Sequence, residues 1–185
     1  MHRARDRSRG DHRLHHIGVA ALLVLGATGC SPALNWRDVR PGQGGVTLQF
    51  PCRPDRAERS IALAGSPVSL QLLRCEAGGL TWAFAQADVT DTARVGPSLQ
   101  ALRDTAMANV GAGKAEPFEQ RVAGRTPVSG VEAEVFEGHL PGGKPVQVRL
   151  VVFADGTRVH QATVFGGVVP AATAAIFFDS LRVGP

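Results

Sequence analysis

The chain has 185 residues, enough for one domain with a hydrophobic core and, once a leader is removed, too few for two ordinary domains. Hydrophobic residues make up 44%, which excludes disorder, and only one apolar stretch approaches membrane length, which excludes a polytopic membrane protein. The net charge of +4 does not mark a nucleic-acid binder: five arginines and two acids lie before Ile17, and the remainder is nearly neutral, with no tyrosine and no basic stripe of interleaved aromatics.

Ile17 to Ala27 is an apolar core that follows the arginine-rich stretch and leads into small residues, the pattern of a secretory signal. A helix crossing about 30 Å of hydrocarbon needs about 20 apolar residues, so this core is too short for a permanent anchor. Ala27-Thr28-Gly29 runs directly into Cys30. This stretch resembles the lipobox of bacterial lipoproteins, with Ala27 where that family prefers Leu. The resemblance implies a signal peptide over residues 1–29, lipidation of Cys30 at the mature N-terminus, and attachment to the membrane through palmitate-type chains on Cys30. It also implies, from Ser31, an outer-membrane protein facing the periplasm. An ordinary signal peptide with an incidental Cys30 is the alternative. His2, His12, His15 and His16 would leave with the leader, and His139 and His160 would remain.

Residues 30–45 are rich in Pro and Gly and read as a lipidated N-terminus and tether, and residues 46–185 as a single α+β domain. Val46, Leu48 and Phe50 alternate with polar residues; Ile61 and Leu63, Val68 to Cys75, and Leu80 to Phe84 continue the period of two. Four strands in a meander are predicted, turning at Gly65-Ser66-Pro67 and Ala77-Gly78-Gly79. Ser98 is placed to cap a helix whose face is Leu99, Leu102, Ala106 and Val110, ended by Gly111 and Gly113. Strands follow at Phe118 to Ala123, Val131 to Phe136, Val146 to Phe153 and Val159 to Phe165, with Asp155-Gly156 suited to a type I′ hairpin turn. Pro170 opens a short helix through Ala172, Ala175 and Ile176, and Leu181 to Val183 forms a last strand. Phe50-Pro51 and the closing Phe177-Phe178-Asp179-Ser180-Leu181-Arg182-Val183 resemble phrases of the Mog1/PsbP-like fold. That likeness implies an antiparallel β-sheet flanked by helices, an α/β/α sandwich, used as a binding or accessory module.

With Cys30 assigned to lipid, Cys52 and Cys75 are the remaining thiols, and an oxidising compartment favours a disulfide between them. A metal or redox pair is the alternative, although no Cys-x-x-Cys or clustered His accompanies them. Gly138 to Lys144 has the spacing of a phosphate loop, but Pro145 follows and Val146 to Leu150 alternates as a strand, so it reads as a hairpin connection. Glu132 and Glu134 share one strand face, and Gln147 and Arg149 are expected opposite them as a solvated charge pattern. His139 and His160 lack a visible acid or nucleophile partner, and Ser129 and Ser180 lack a nucleophile elbow. No cofactor, metal or catalytic residue is assigned. The reading is a lipid-anchored, non-enzymatic binding or accessory module for an unidentified envelope protein. The alternatives are a periplasmic lipoprotein that binds a small ligand in a groove between sheet and helix lined by Trp82 and Phe84, and a hydrolase assembled from distant residues.

Overall fold

The computed structural model describes residues 34–42, 45–124 and 128–184. Along them run β1 (Arg37–Val39), β2 (Val46–Phe50), β3 (Asp55–Leu63), β4 (Ser66–Ala77), β5 (Leu80–Asp88), a 3₁₀ turn (Thr92–Arg94) and α1 (Val95–Ala108). Then come β6 (Ala115–Pro117), β7 (Ala123–Gly124), β8 (Val128–His139), β9 (Pro145–Asp155), β10 (Arg158–Gly166), α2 (Ala171–Asp179) and β11 (Arg182–Val183). The protein is a mixed α+β fold dominated by antiparallel strands. A seven-stranded sheet has the order β3-β4-β5-β10-β9-β8-β6, and a four-stranded one the order β1-β2-β11-β7.

Alternation along the long strands sorts the large sheet into two apolar faces. One carries Leu73, Cys75, Trp82, Phe84, Val151, Phe153, Ala162 and Val164; against it pack Phe177 and Phe178 of α2, Leu181, and Val46, Leu48 and Phe50 of β2. The other carries Val68, Ala87, Phe136, Val148, Leu150, Val152 and Val159 and is covered by Leu99 and Leu102 of α1 and by Val110. Both faces of the central strands are therefore buried, which is why β9 reads as a run of apolar residues from Leu150 to Ala154 rather than as a clean alternation.

The expected meander is shorter than four strands. β3, β4 and β5 form it, while β2 joins the small sheet and pairs with β11 through Val46 with Val183 and Thr47 with Arg182. The expected tether at 30–45 contains β1, which pairs with β2, and Trp36, whose ring meets that of Trp82 edge-on at 5.5 Å. The packed domain thus extends to the N-terminal side of residue 46. The first meander turn is Ala64-Gly65, both at positive φ, with Ser66 and Pro67 already in β4. Pro67 faces Ala62, and alternation from the bonded pair flanking this two-residue turn makes that a position where no ladder donor is needed.

Ser98 is not a cap but a wholly buried residue inside α1. Asp91 caps instead, its Oδ1 accepting the Ala93 N–H at 2.9 Å and starting a 3₁₀ turn that runs on into α1. Gly96-Pro97 falls in the first helical turn, where the missing proline N–H has no intrahelical acceptor to lose. Phe118 to Ala123 is not a continuous strand; β6 precedes it and β7 takes only its end. The β9–β10 loop is Gly156-Thr157 rather than Asp155-Gly156, because Asp155 pairs with Arg158, and of the two loop residues only Gly156 has positive φ. That pattern suits a type II′ turn. In α2 the buried residues are Ala174, Phe177 and Phe178, and Ile176 points outward. The β8–β9 hairpin packs so closely on the end of α1 that a Cβ at Gly138 would lie 2.1 Å from the Val110 carbonyl oxygen, which accepts the His139 N–H at 2.8 Å.

Candidate functional site

Cys30 lies outside the described residues. Cys52 and Cys75 form a disulfide with Cα atoms 6.1 Å apart, joining the segment after β2 to β4 and so tying the two sheets together. Cys75 faces Trp82 across the β4–β5 ladder, so the crosslink sits at the aromatic centre of the core. Trp82 and Phe84 are both 0% exposed. Trp82 meets the Phe177 ring at 5.5 Å and donates its indole N–H to the Ala77 carbonyl at 3.1 Å, while Phe84 lies 5.8 Å from the His160 ring. These two residues are core, not the walls of an open groove. The strand period correctly put them on one face, but that face is closed by Trp36 from one end of the chain and Phe177 from the other.

A groove between strands and helix exists elsewhere. It encloses about 690 Å³ between β1–β2 and α2, and its lining includes Asp38, Arg40, Gln49, Ile176, Asp179 and Arg182. Its polar atoms are held in place: Ser180 Oγ accepts the Gln49 amide at 2.8 Å and donates to the Phe177 carbonyl at 2.6 Å, and Gln49 Nε2 donates to Asp38 Oδ1 at 3.1 Å. Arg182 donates to the carbonyls of Asp179 and Leu181. The result is a fixed surface of both charge signs beside the exposed Ile176 side chain. No local spacing could have announced it, because its two walls come from opposite ends of the domain.

A smaller pocket of about 210 Å³ lies over the α2 face of the large sheet, lined by Glu58, Ser69, Gln71, Gln86, Asp88 and Arg158 among others. Gln86 is buried; its Nε2 donates to Gln71 Oε1 at 2.8 Å, and its own Oε1 has no partner among the described residues. The Thr90 amide and then the Thr157 hydroxyl, both at 2.8 Å, hold the Asp88 carboxyl below its ordinary value. This pocket did have a sequence signal. Gln86 continues the period that puts Trp82 and Phe84 on the core face, and a polar residue there demands a partner. Beside it in the ladder, His160 is 0% exposed, stacks on Phe153 at 4.7 Å, and has no hydrogen-bond partner at either ring nitrogen among the described residues. Burial lowers its pKa to about 4, so it is neutral near pH 7.

The remaining candidates stay apart. Glu134 faces the α1 side and accepts two hydrogen bonds from Arg103, at 2.6 and 2.8 Å, which raises the Arg103 pKa. Gln147 and Arg149 occupy the opposite face: Gln147 bonds Glu137 and the Val169 amide, and Arg149 lies over Phe118 and donates to the Val169 carbonyl. The charge pattern expected among Glu132, Glu134, Gln147 and Arg149 is therefore absent, because it required the wrong register. Of the stretch Gly138 to Lys144, Gly138 and His139 end β8 and Leu140 to Lys144 is the hairpin connection to β9, closed by Leu140 N–H to the Lys144 carbonyl at 2.9 Å. His139 sits exposed at its edge, and Ser129 is exposed on β8, remote in sequence and element from either groove. Among the described residues no group of His, Cys, Asp or Glu is placed to hold a metal ion, and no helix is long and apolar enough to cross a membrane. No protein-family model matches the chain, and a search of curated proteins finds no significant match.

Proposed function

We propose that this protein is a lipid-anchored module of the bacterial envelope that binds another envelope component through the groove between β1–β2 and α2. The observation that carries the reading is the Cys52–Cys75 disulfide, since such bonds form and persist in oxidising compartments outside the cytosol. The signal pattern and Cys30 supply the address, and the groove supplies a surface lined by Asp38, Asp179, Arg40 and Arg182 together with an exposed apolar side chain, Ile176. Mixed charge around an apolar centre suits a polypeptide surface better than a small apolar ligand. A Mog1/PsbP-like α/β/α sandwich is part of this reading. Supporting it are helices on both faces of one antiparallel sheet and the meeting of the two resembling phrases, where Phe50 and Phe177 lie 5.2 Å apart.

Cross-linking in intact cells, with mass spectrometry of the products, tests the binding role, and incorporation of a palmitate analogue tests the anchor. One envelope protein recovered with the wild type, and lost with Cys30→Ala and with Ile176→Glu, is the expected result. Absence of label on the wild type sinks the lipid anchor, and loss with neither variant sinks the groove. A second reading, a small polar ligand in the pocket over Gln86, is favoured by the unpartnered Gln86 Oε1 and predicts that Gln86→Leu abolishes ligand-induced stabilisation.

A further inference from the structure

β3 is an edge of the large sheet, and its first six residues, Asp55 to Ser60, are exposed. The turn to β4 has two residues, Ala64 and Gly65, so Leu63 and Ser66 form the bonded pair flanking it. Alternation from that pair directs the backbone groups of Asp55, Ala57, Arg59 and Ile61 to β4, and those of Arg56, Glu58, Ser60 and Ala62 to the open edge. An edge of this length with outward amides and carbonyls is a template for another strand. Charged residues often block such pairing, and what decides the matter is whether the charges repel or match.

Here they match. We propose that β3 pairs antiparallel with β3 of a second copy of this chain about a two-fold axis at Ala57, joining two seven-stranded sheets edge to edge. In that register Arg56 and Glu58 of one copy exchange backbone hydrogen bonds with Glu58 and Arg56 of the other. Asp55 stands opposite Arg59 on the α1 face, and Arg56 opposite Glu58 on the α2 face, so four opposite-charge pairs form. An axis moved to Asp55, Arg56, Glu58 or Arg59 sets that charge against its own copy, so the pattern selects one register as well as permitting association. Two of the side chains are already held: Arg56 donates to the Pro41 carbonyl at 2.6 Å and the Arg40 carbonyl at 2.9 Å, and Glu58 Oε1 accepts from Ser69 Oγ. Among the described residues these are the side-chain bonds of Arg56 and Glu58, so the other guanidinium N–H groups and Glu58 Oε2 can serve the partner.

The test uses the full chain carrying Cys30→Ala, which removes the anchor and an extra thiol, so the outcome does not depend on lipidation. Sedimentation equilibrium at about 100 μM chain is expected to show a reversible dimer. Arg59→Asp should weaken it about tenfold or more by placing aspartates opposite one another, and Asp55→Arg combined with Arg59→Asp should restore it. Ala57→Cys should give a covalent dimer on oxidation, since facing residues of a non-bonded antiparallel pair lie within disulfide reach, whereas Ser60→Cys, about 20 Å from its own copy, should not. A wild type that stays monomeric, a double variant that does not recover association, or equal cross-linking at positions 57 and 60 would overturn the proposal. Circular dichroism of each variant separates lost pairing from lost folding.

Discussion

His160 makes the stability of this domain depend on pH within a definable window. Its ring lies between Phe153 at 4.7 Å and Phe84 at 5.8 Å, with Asp155 and Arg158 as the charges that act on it. Burial lowers the folded-state pKa from 6.5 to about 4, the Asp155 charge opposing this shift and the Arg158 charge adding to it. The unfolded chain therefore takes up a proton at this position before the folded one does. Stability is fully present above pH 6.5, is lost as pH falls towards 4, and changes no further below that. A difference of about 2.5 pKa units corresponds to about 3 kcal/mol, a large fraction of the stability of a domain this size. The Asp88 carboxyl, held below 3.8, is lost in a more acidic window, so the two contributions separate. Urea unfolding followed by Trp36 and Trp82 fluorescence should show this loss between pH 7 and 4.5. In His160→Phe the His160 component should vanish while the slope at lower pH remains. At pH 7 the variant should match the wild type or exceed it, because two unpartnered ring nitrogens leave the core and an aromatic ring of similar shape stays. If wild type and variant lose equal stability between pH 7 and 4.5, the assignment to His160 is wrong.

Reduction of the Cys52–Cys75 bond, or replacement of both cysteines by alanine, should cost about 3 kcal/mol for a loop of this length, read as a lower urea midpoint. Glu134→Gln should cost about 1 kcal/mol by loosening the partly buried Arg103 pair, and adding Arg103→Met should cost less than the sum of the two single changes in a double-mutant cycle. Phe177→Ala removes a ring that touches Phe50, Trp82 and Phe178 and should cost about 3–5 kcal/mol with a shift in Trp82 emission. Gly138→Ala should also destabilise the fold, because its Cβ meets backbone rather than a movable side chain; hydrogen exchange at the His139 amide is the sensitive readout.

What was legible in the sequence is local orientation. Trp82 and Phe84, or Leu73 and Cys75, announce a shared face because a strand has period two, and the glycines at 65, 78 and 156 announce the turns because they take positive φ. What was not legible is which element lies across from that face. The β8–β9 hairpin shows how small the missing information is: His139 opposite Pro145 sets Glu134 against Leu150, whereas placing Glu134 beside Arg149 needs a shift of one residue and moves every partner to the other side of the sheet. β1 is similar. Three residues in a Pro- and Gly-rich stretch have no strand signal of their own, and they form a strand by pairing with β2, whose other edge pairs with β11, more than a hundred residues further on. The groove inherits that non-locality, since Asp38 and Arg40 arrive with the first strand and Ile176, Asp179 and Arg182 with the last helix and strand. It exists only after both ends of the domain have closed on the same core, which also means that mutations in Phe50 or Phe177, buried neighbours of the groove residues Gln49 and Ile176, should disturb binding and stability together.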